Sequence, residues 1–360
     1  MKKIITLALS LAMAITVFAG CGKQAENNNA AGTTTGTAAN TTAAIDTGTQ
    51  AAADTVKTGF AVLSSIAKST DAGEKDGLAE IDSMIAAVTV DKDGKIVKCI
   101  IDAAQTIVNF SAQGKILTDL KTEYKTKNEL GEEYGMKKAS KIGKEWNEQA
   151  AAFANYVVGK TLDQVKGIAI TEKGTAGDAE LAASVTVHIG DFIAVTEKAV
   201  LNAQDLGAKA GDKLGLGVST NISKSTDAGE KEGLAQAYSM YSVSTFDTNG
   251  KITSSIIDAS QTDVNFSKQG KITSDLTVAF KTKNELGDAY GMKKASKIGK
   301  EWNEQAEAFA KYVVGKTVDE VKGIAVNKEG VTTEAELTSS VTVHIADFQK
   351  VIEKANASAK

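Results

Sequence analysis

The feature that most constrains this 360-residue chain is a duplication. "KSTDAGEK" stands at 68–75 and again at 224–231. "ELAASVTVHIGDF" at 180–192 is answered by "ELTSSVTVHIADF" at 336–348, in both cases 156 residues further on. Between 125–169 and 281–325, 39 of 45 positions are identical without a gap. Solenoid repeats are shorter and cannot bury a core alone, whereas a unit of this length falls in the size range of a domain. The expectation is two tandem copies of a small α+β domain, 57–205 and 213–360, joined by a linker at 206–212. Each copy should have a core able to fold by itself.

Within a copy the elements can be read in order. "IAAVTVDKDGKIVKCII" (85–101) and its partner "YSVSTFDTNGKITSSII" are rich in β-branched residues around a glycine, Gly94 and Gly250, as in β-hairpins. A further short strand is expected at "TIVNF" and "TDVNF". In "GKEWNEQAEAFAKYVVGKT", Trp302, Ala306, Phe309 and Val313 recur at helical spacing, with Gly315 behind them as a C-terminal stop. Trp146 and Trp302 open that apolar stripe and are expected to be structural. Thr317 with Glu320, and Thr161 with Gln164, have the spacing of a capping box that opens a second helix. "SVTVHI" is expected as a last strand. A closing helix carries Phe348, Val351, Ile352 and Ala355. Strands first and helices later point to an antiparallel sheet packed against helices, not a parallel α/β fold.

The N-terminus begins with Lys2 and Lys3 before an apolar run from Ile4 to Phe18, the pattern of a secretory signal. Its end, "FAGC", resembles the lipobox of bacterial lipoproteins, which implies a signal peptide at 1–21 and an acylated Cys21. Residues 22–56 are Asn, Thr, Ala and Gly with few large apolar side chains, so a disordered tether is expected there. Together these imply a protein lipid-anchored to the cell membrane on its extracytoplasmic face. The net charge is −4, and all 41 basic residues are lysine, which argues against nucleic acid as a partner. Cys99 is the second of two cysteines and is matched by Ser255, so no disulfide framework exists and a small hydrophobe on a strand is expected.

Familiar chemical motifs fail in context. "VGKT" at 158–161 has Ala154 where a phosphate-binding loop needs its first glycine, and it follows a helix. "GLGVST" at 215–220 lacks the third glycine of a dinucleotide fingerprint. "DKDG" at 91–94 has no glutamate closing a calcium loop. One histidine per copy, without a cysteine cluster, cannot make a zinc site alone.

Asp76–Gly77 ahead of the hairpin at 88–96, "NELG" at 128–131 as a glycine-containing loop, and the phrase around Thr186 and Thr342 resemble the FMN-binding domain family. That family includes subunits of respiratory flavoproteins and surface lipoproteins. Its closing motif, similar to Asp-x-x-Ser-Gly-Ala-Thr, can carry FMN on the threonine through a phosphoester. This chain departs from it: Glu180 and Glu336 stand for the Asp, Ser184 and Ser340 for the Gly, and Val185 and Val341 for the Ala. The resemblance implies Thr186 and Thr342 as FMN sites, with Ser184, Ser340, His188 and His344 beside them. On a strand, Thr186 and His188 would share a face. A phosphate there would meet the N-terminus of the following helix. The resulting expectation is a flavin-binding electron carrier, served by a flavin transferase and redox partners, with no catalytic or metal site of its own. The alternative is a surface ligand-binding or interaction lipoprotein that keeps the fold without covalent flavin.

Overall fold

The computed structural model describes residues 55–360. The signal peptide, Cys21 and nearly all of the 22–56 tether lie outside the described residues. The first copy contains β1 (Lys57–Ser65), β2 (Gly77–Val90), β3 (Ile96–Phe110) and the short β4 (Glu123–Tyr124). Helices follow: α1 (Lys127–Leu130), α2 (Trp146–Val157), α3 (Leu162–Lys166), α4 (Ala179–Ala182) and α5 (Gly190–Leu201). The second copy repeats the order with β5 (Lys213–Asn221), β6 (Gly233–Phe246) and β7 (Ile252–Phe266). Its helices are α6 (Lys283–Leu286), α7 (Trp302–Tyr312), α8 (Val318–Lys322) and α9 (Ala346–Ser358). Both sheets are antiparallel, ordered β1-β2-β3 and β4-β5-β6-β7. This is a mixed helix-and-sheet architecture.

The long hairpins form where the β-branched runs predict them. At the first tip, Asp91 Oδ1 accepts from the backbone N–H groups of Asp93 and Lys95, and Gly94 takes a positive φ of 76° that a side chain would disfavour. Asp247 and Gly250 repeat this turn. The expected separate strand at "TIVNF" is instead the far end of β3, which pairs without a break from Cys99 to Phe110. Asp102 interrupts the apolar pattern of β3, but its carboxylate is satisfied in place by the N–H groups of Ala103 and Asn128, so the strand runs on. The "NELG" segments are not loops either: α1 and α6 are single-turn helices opened by capping boxes at Thr126 and Thr282. The capping boxes at Thr161 and Thr317 are present as expected.

Side chains of β2 alternate between two cores. Ala86, Val88 and Val90 face α2, α3 and α5, together with Trp146, Phe153 and Phe192. Ile85 and Ala87 face the other way, onto Leu216, Tyr241 and Val243 of the second copy. In the second copy Phe246, Ile257 and Ala259 face the helices with Trp302, Phe309 and Phe348, and Tyr241 and Val243 face the first copy. Buried Ser242 and Ser244 stand at the counterparts of Ala86 and Val88. The result is a helix–sheet–sheet–helix stack in which both faces of each sheet are covered. That is why β2 reads as a continuous apolar run from Ile85 to Val88. Trp146 and Trp302 are 5% and 4% exposed and meet Phe192 and Phe348 edge-on. Cys99 sits on β3, its thiol pushed up to about 12 by burial, which removes thiolate chemistry near neutral pH.

Candidate functional site

The "SVTVHI" phrase is not a strand. Residues 185–189 are an irregular segment between α4 and α5, and in the second copy only His344 makes an isolated bridge, to Val331. Thr186 and His188 therefore do not share a strand face. What fixes the segment is a glutamine that sequence reasoning missed. Gln149 on α2 is fully buried, and its Oε1 accepts from the Thr186 N–H at 2.8 Å, the Val187 N–H at 3.2 Å and the Thr186 hydroxyl at 3.3 Å. Its Nε2 donates to Ser140 Oγ and to the Lys144 carbonyl, both at 3.2 Å. Gln305 repeats the arrangement with Thr342, Val343, Ser296 and Lys300. The backbone N–H groups of the threonine and of the residue after it are thus taken by a side-chain oxygen of the protein itself. A polar residue in the middle of the apolar stripe, identical in both copies, was the available signal.

A second anchor shapes the wall opposite. Glu145, 3% exposed at the N-terminus of α2, accepts from the N–H groups of Met136 and Lys137 at 2.8 and 2.9 Å. This pins the 136–145 segment across from the threonine. Between them lies a groove of about 340 Å³ lined by Met136, Ser140, Lys141, Lys173, Thr186 and Val187, among others. The matching groove of the second copy, about 360 Å³, is lined by Met292, Ser296, Lys297, Glu329, Thr342 and His344. Both volumes are at the small end of the roughly 300–1,000 Å³ typical of ligand pockets.

The remaining expected residues have local roles. Ser184 and Ser340 donate their hydroxyls to the carbonyls of Leu181 and Leu337, closing the turn before the threonine. His188 is exposed, and its ring lies over the turn at Gly174, where an added Cβ would come within 3.4 Å of it. His344 belongs to the groove lining of the second copy. In each copy a lysine sits among aromatic rings. Lys283 Nζ lies 4.8 Å from the Trp302 ring and 4.6 Å from that of Tyr290, and burial lowers its pKa to about 8. Lys127 Nζ lies 4.6 Å from the Tyr134 ring and 5.1 Å from that of Trp146. A further cleft of about 290 Å³ between β1 and α6 is lined by Phe60, Asp258, Asn284 and Glu285.

Among the described residues no cluster of metal-binding side chains occurs, and no helix is long and apolar enough to cross a membrane. The donor set of the first groove suits a phosphate monoester: two lysines, three hydroxyls and an apolar wall. Esterifying Thr186 would cost only the 3.3 Å hydroxyl bond to Gln149, because both backbone bonds would remain. The groove is open, so a ring system larger than its volume would extend along its apolar side.

No protein-family model matches this chain, and no solved structure does. A stretch of 43 residues is 54% identical to part of a chlorophenol reductase from Desulfitobacterium hafniense, covering 12% of this chain and 13% of that protein. The match spans about an eighth of either chain, too little to carry a fold or an activity across.

Proposed function

We propose that this chain is a lipid-anchored, extracytoplasmic flavin-binding protein built from two tandem FMN-binding-like units, and that it works as an electron carrier. The observation that supports this is the recurrence, in each copy, of a threonine hydroxyl at a groove, held by a buried glutamine and accompanied by a lysine. A flavin bound there would supply the redox chemistry. The chain's own contribution is positional. Gln149 and Gln305 orient the threonine, Lys141 and Lys297 offer positive charge to a phosphate, and Met136 and Met292 supply an apolar side. A flavin transferase and redox partners complete the proposal.

The test is the intact mass of protein taken from its native membrane with flavin supplied and a transferase present. The expected result is one FMN less water for each loaded threonine, a label that survives denaturation and disappears when that threonine is changed to alanine. An unmodified mass removes the covalent reading. A second reading, flavin held without a covalent bond, is favoured by the Thr186 hydroxyl already donating to Gln149. It predicts yellow native protein whose colour is lost on denaturation. Colourless protein removes both and leaves the surface interaction module.

A further inference from the structure

The two grooves share a scaffold and differ in charge at one place. The residue just before the turn glycine is Lys173 in the first copy and Glu329 in the second, 156 residues apart, and each lines its own groove. The backbone that presents them is the same. Gly174 donates to the Thr171 carbonyl at 2.9 Å and accepts from the Ile189 N–H at 3.0 Å, while Gly330 donates to Asn327 at 3.0 Å and accepts from Ile345 at 2.9 Å. The threonines are also held alike, their three bonds to glutamine agreeing within 0.1 Å. The preceding residues reverse the difference: Glu172 in the first copy, Lys328 in the second. The net charge of the turn is therefore equal in the two copies, and only the order, hence the groove-facing residue, changes. In parallel, Thr175 of the first groove is Val331 in the second, which removes a hydroxyl. Among the described residues none of Lys141, Lys173, Lys297 and Glu329 takes part in an ion pair, so their charges are open to a ligand.

We propose that the copies have divergent ligand selectivity: the Thr186 groove takes the phosphorylated ligand, and the Thr342 groove disfavours a phosphate dianion. This rests on the reading of the grooves as ligand sites. Two lysines face a phosphate in the first groove. In the second, one lysine is offset by a carboxylate at the same distance along the same turn. Reversing one charge near a dianion in an open, solvated groove changes affinity on the order of tenfold, and salt reduces the difference. The protein then holds one phosphorylated ligand tightly and a second about tenfold more weakly.

The experiment titrates the intact chain by calorimetry with two probes, FMN and phenyl phosphate, the latter presenting the phosphate monoester alone. Two double variants exchange the order of charges without altering net charge: Glu172→Lys with Lys173→Glu, and Lys328→Glu with Glu329→Lys. All four positions are exposed, and thermal melts verify that each variant folds. The expected result is two sites about tenfold apart in the unaltered chain, two equally weak sites in the first variant, and two equally strong sites in the second variant. Two equal sites in the unaltered chain, or affinities that ignore the exchange, overturn the proposal. If phenyl phosphate follows the exchange while FMN binds nowhere, the flavin reading fails and the selectivity stands. If neither probe binds, both fail.

Discussion

Asp102 and Asp258 are the residues whose surroundings speak most directly to solution behaviour. Each is nearly fully buried in a long strand, and burial drives its pKa up, to about 6 for Asp102 and about 7 for Asp258, despite the N–H bonds from α1 and α6. The unfolded chain releases these protons near pH 4, whereas the folded chain keeps them to higher pH. The native state therefore binds more protons in that interval, and stability falls as pH rises from about 4 to about 7, then levels off. The effect is on the order of a few kcal/mol for each group. Melting temperature measured across pH 4–8 should decline, and Asp258→Asn, which keeps an acceptor for the Ala259 and Asn284 N–H groups, should flatten the upper part of the decline. A melting temperature that rises through this interval would show the carboxylates to be stabilised in their charged form. At the same scale, Gln149 shows the reach of one side chain: five hydrogen bonds join α2, the 140–144 segment and the threonine loop.

At the scale of elements, the closing helices lie unusually close to β1 and β5, the first strand of each copy. An added Cβ on Gly59 would stand 2.1 Å from the Ala199 carbonyl oxygen, and on Gly215 2.0 Å from that of Ala355. Both are helix backbone atoms, which a rotamer change cannot move aside. α5 and α9 can pack as they do only because these strand positions lack a side chain. Lys198 and Lys354 complete each docking by donating to the Val62 and Val218 carbonyls. Gly215→Ala should lower stability by about 1–3 kcal/mol, the usual cost of overpacking, in urea denaturation. No change would mean that α9 can shift outward freely. The periodicity of these helices was legible in Phe348, Val351, Ile352 and Ala355, all buried. Their distance from the sheet was not, because a glycine in a strand sequence gives no sign of what approaches it.

At the scale of the molecule, the two copies meet through reciprocal contacts. Asp71 accepts from Lys271 and the Ile272 N–H, while Asp227 accepts from Lys115 and the Ile116 N–H. Lys198 pairs with Glu285 as Lys354 pairs with Glu129. Phe110 stacks on Phe266, its own counterpart, at 4.3 Å. Such an arrangement is that of a two-fold dimer, here within one chain. One shared core is nearly identical between the copies, with Ile66, Ala79, Val108 and Phe110 facing Ile222, Ala235, Val264 and Phe266. The other is not: Phe60 packs on Tyr241, whose first-copy counterpart is Ile85. Independent folding of the halves therefore acquires a condition. Isolated 55–212 and 213–360 should each associate with itself, and when mixed they should prefer each other, because only the mixed pair fills the second core. Light scattering of the separate and mixed halves checks this, and two folded monomers that ignore each other would refute it.

Sequence alone determined what depends on neighbours along the chain. The duplication is visible by direct comparison, and the hairpin tips at Gly94 and Gly250, the capping boxes at Thr161 and Thr317 and the buried stripe from Trp302 are set by spacings of a few residues, which local sterics and hydrogen bonding suffice to read. The structure decided what depends on residues far apart. "SVTVHI" alternates like a strand, yet its backbone N–H groups are taken by a glutamine 37 positions earlier, so no strand forms. The strand expected separately at "TIVNF" is continuous with the hairpin, because Asn128, 26 positions further on, donates to the buried Asp102 between them. The apolar residues of β2 and β6 gave no hint that their outer faces cover each other, since burial against a helix and burial against a second sheet demand the same residues. Periodicity says which side chains leave water, and only the tertiary structure says what they meet there.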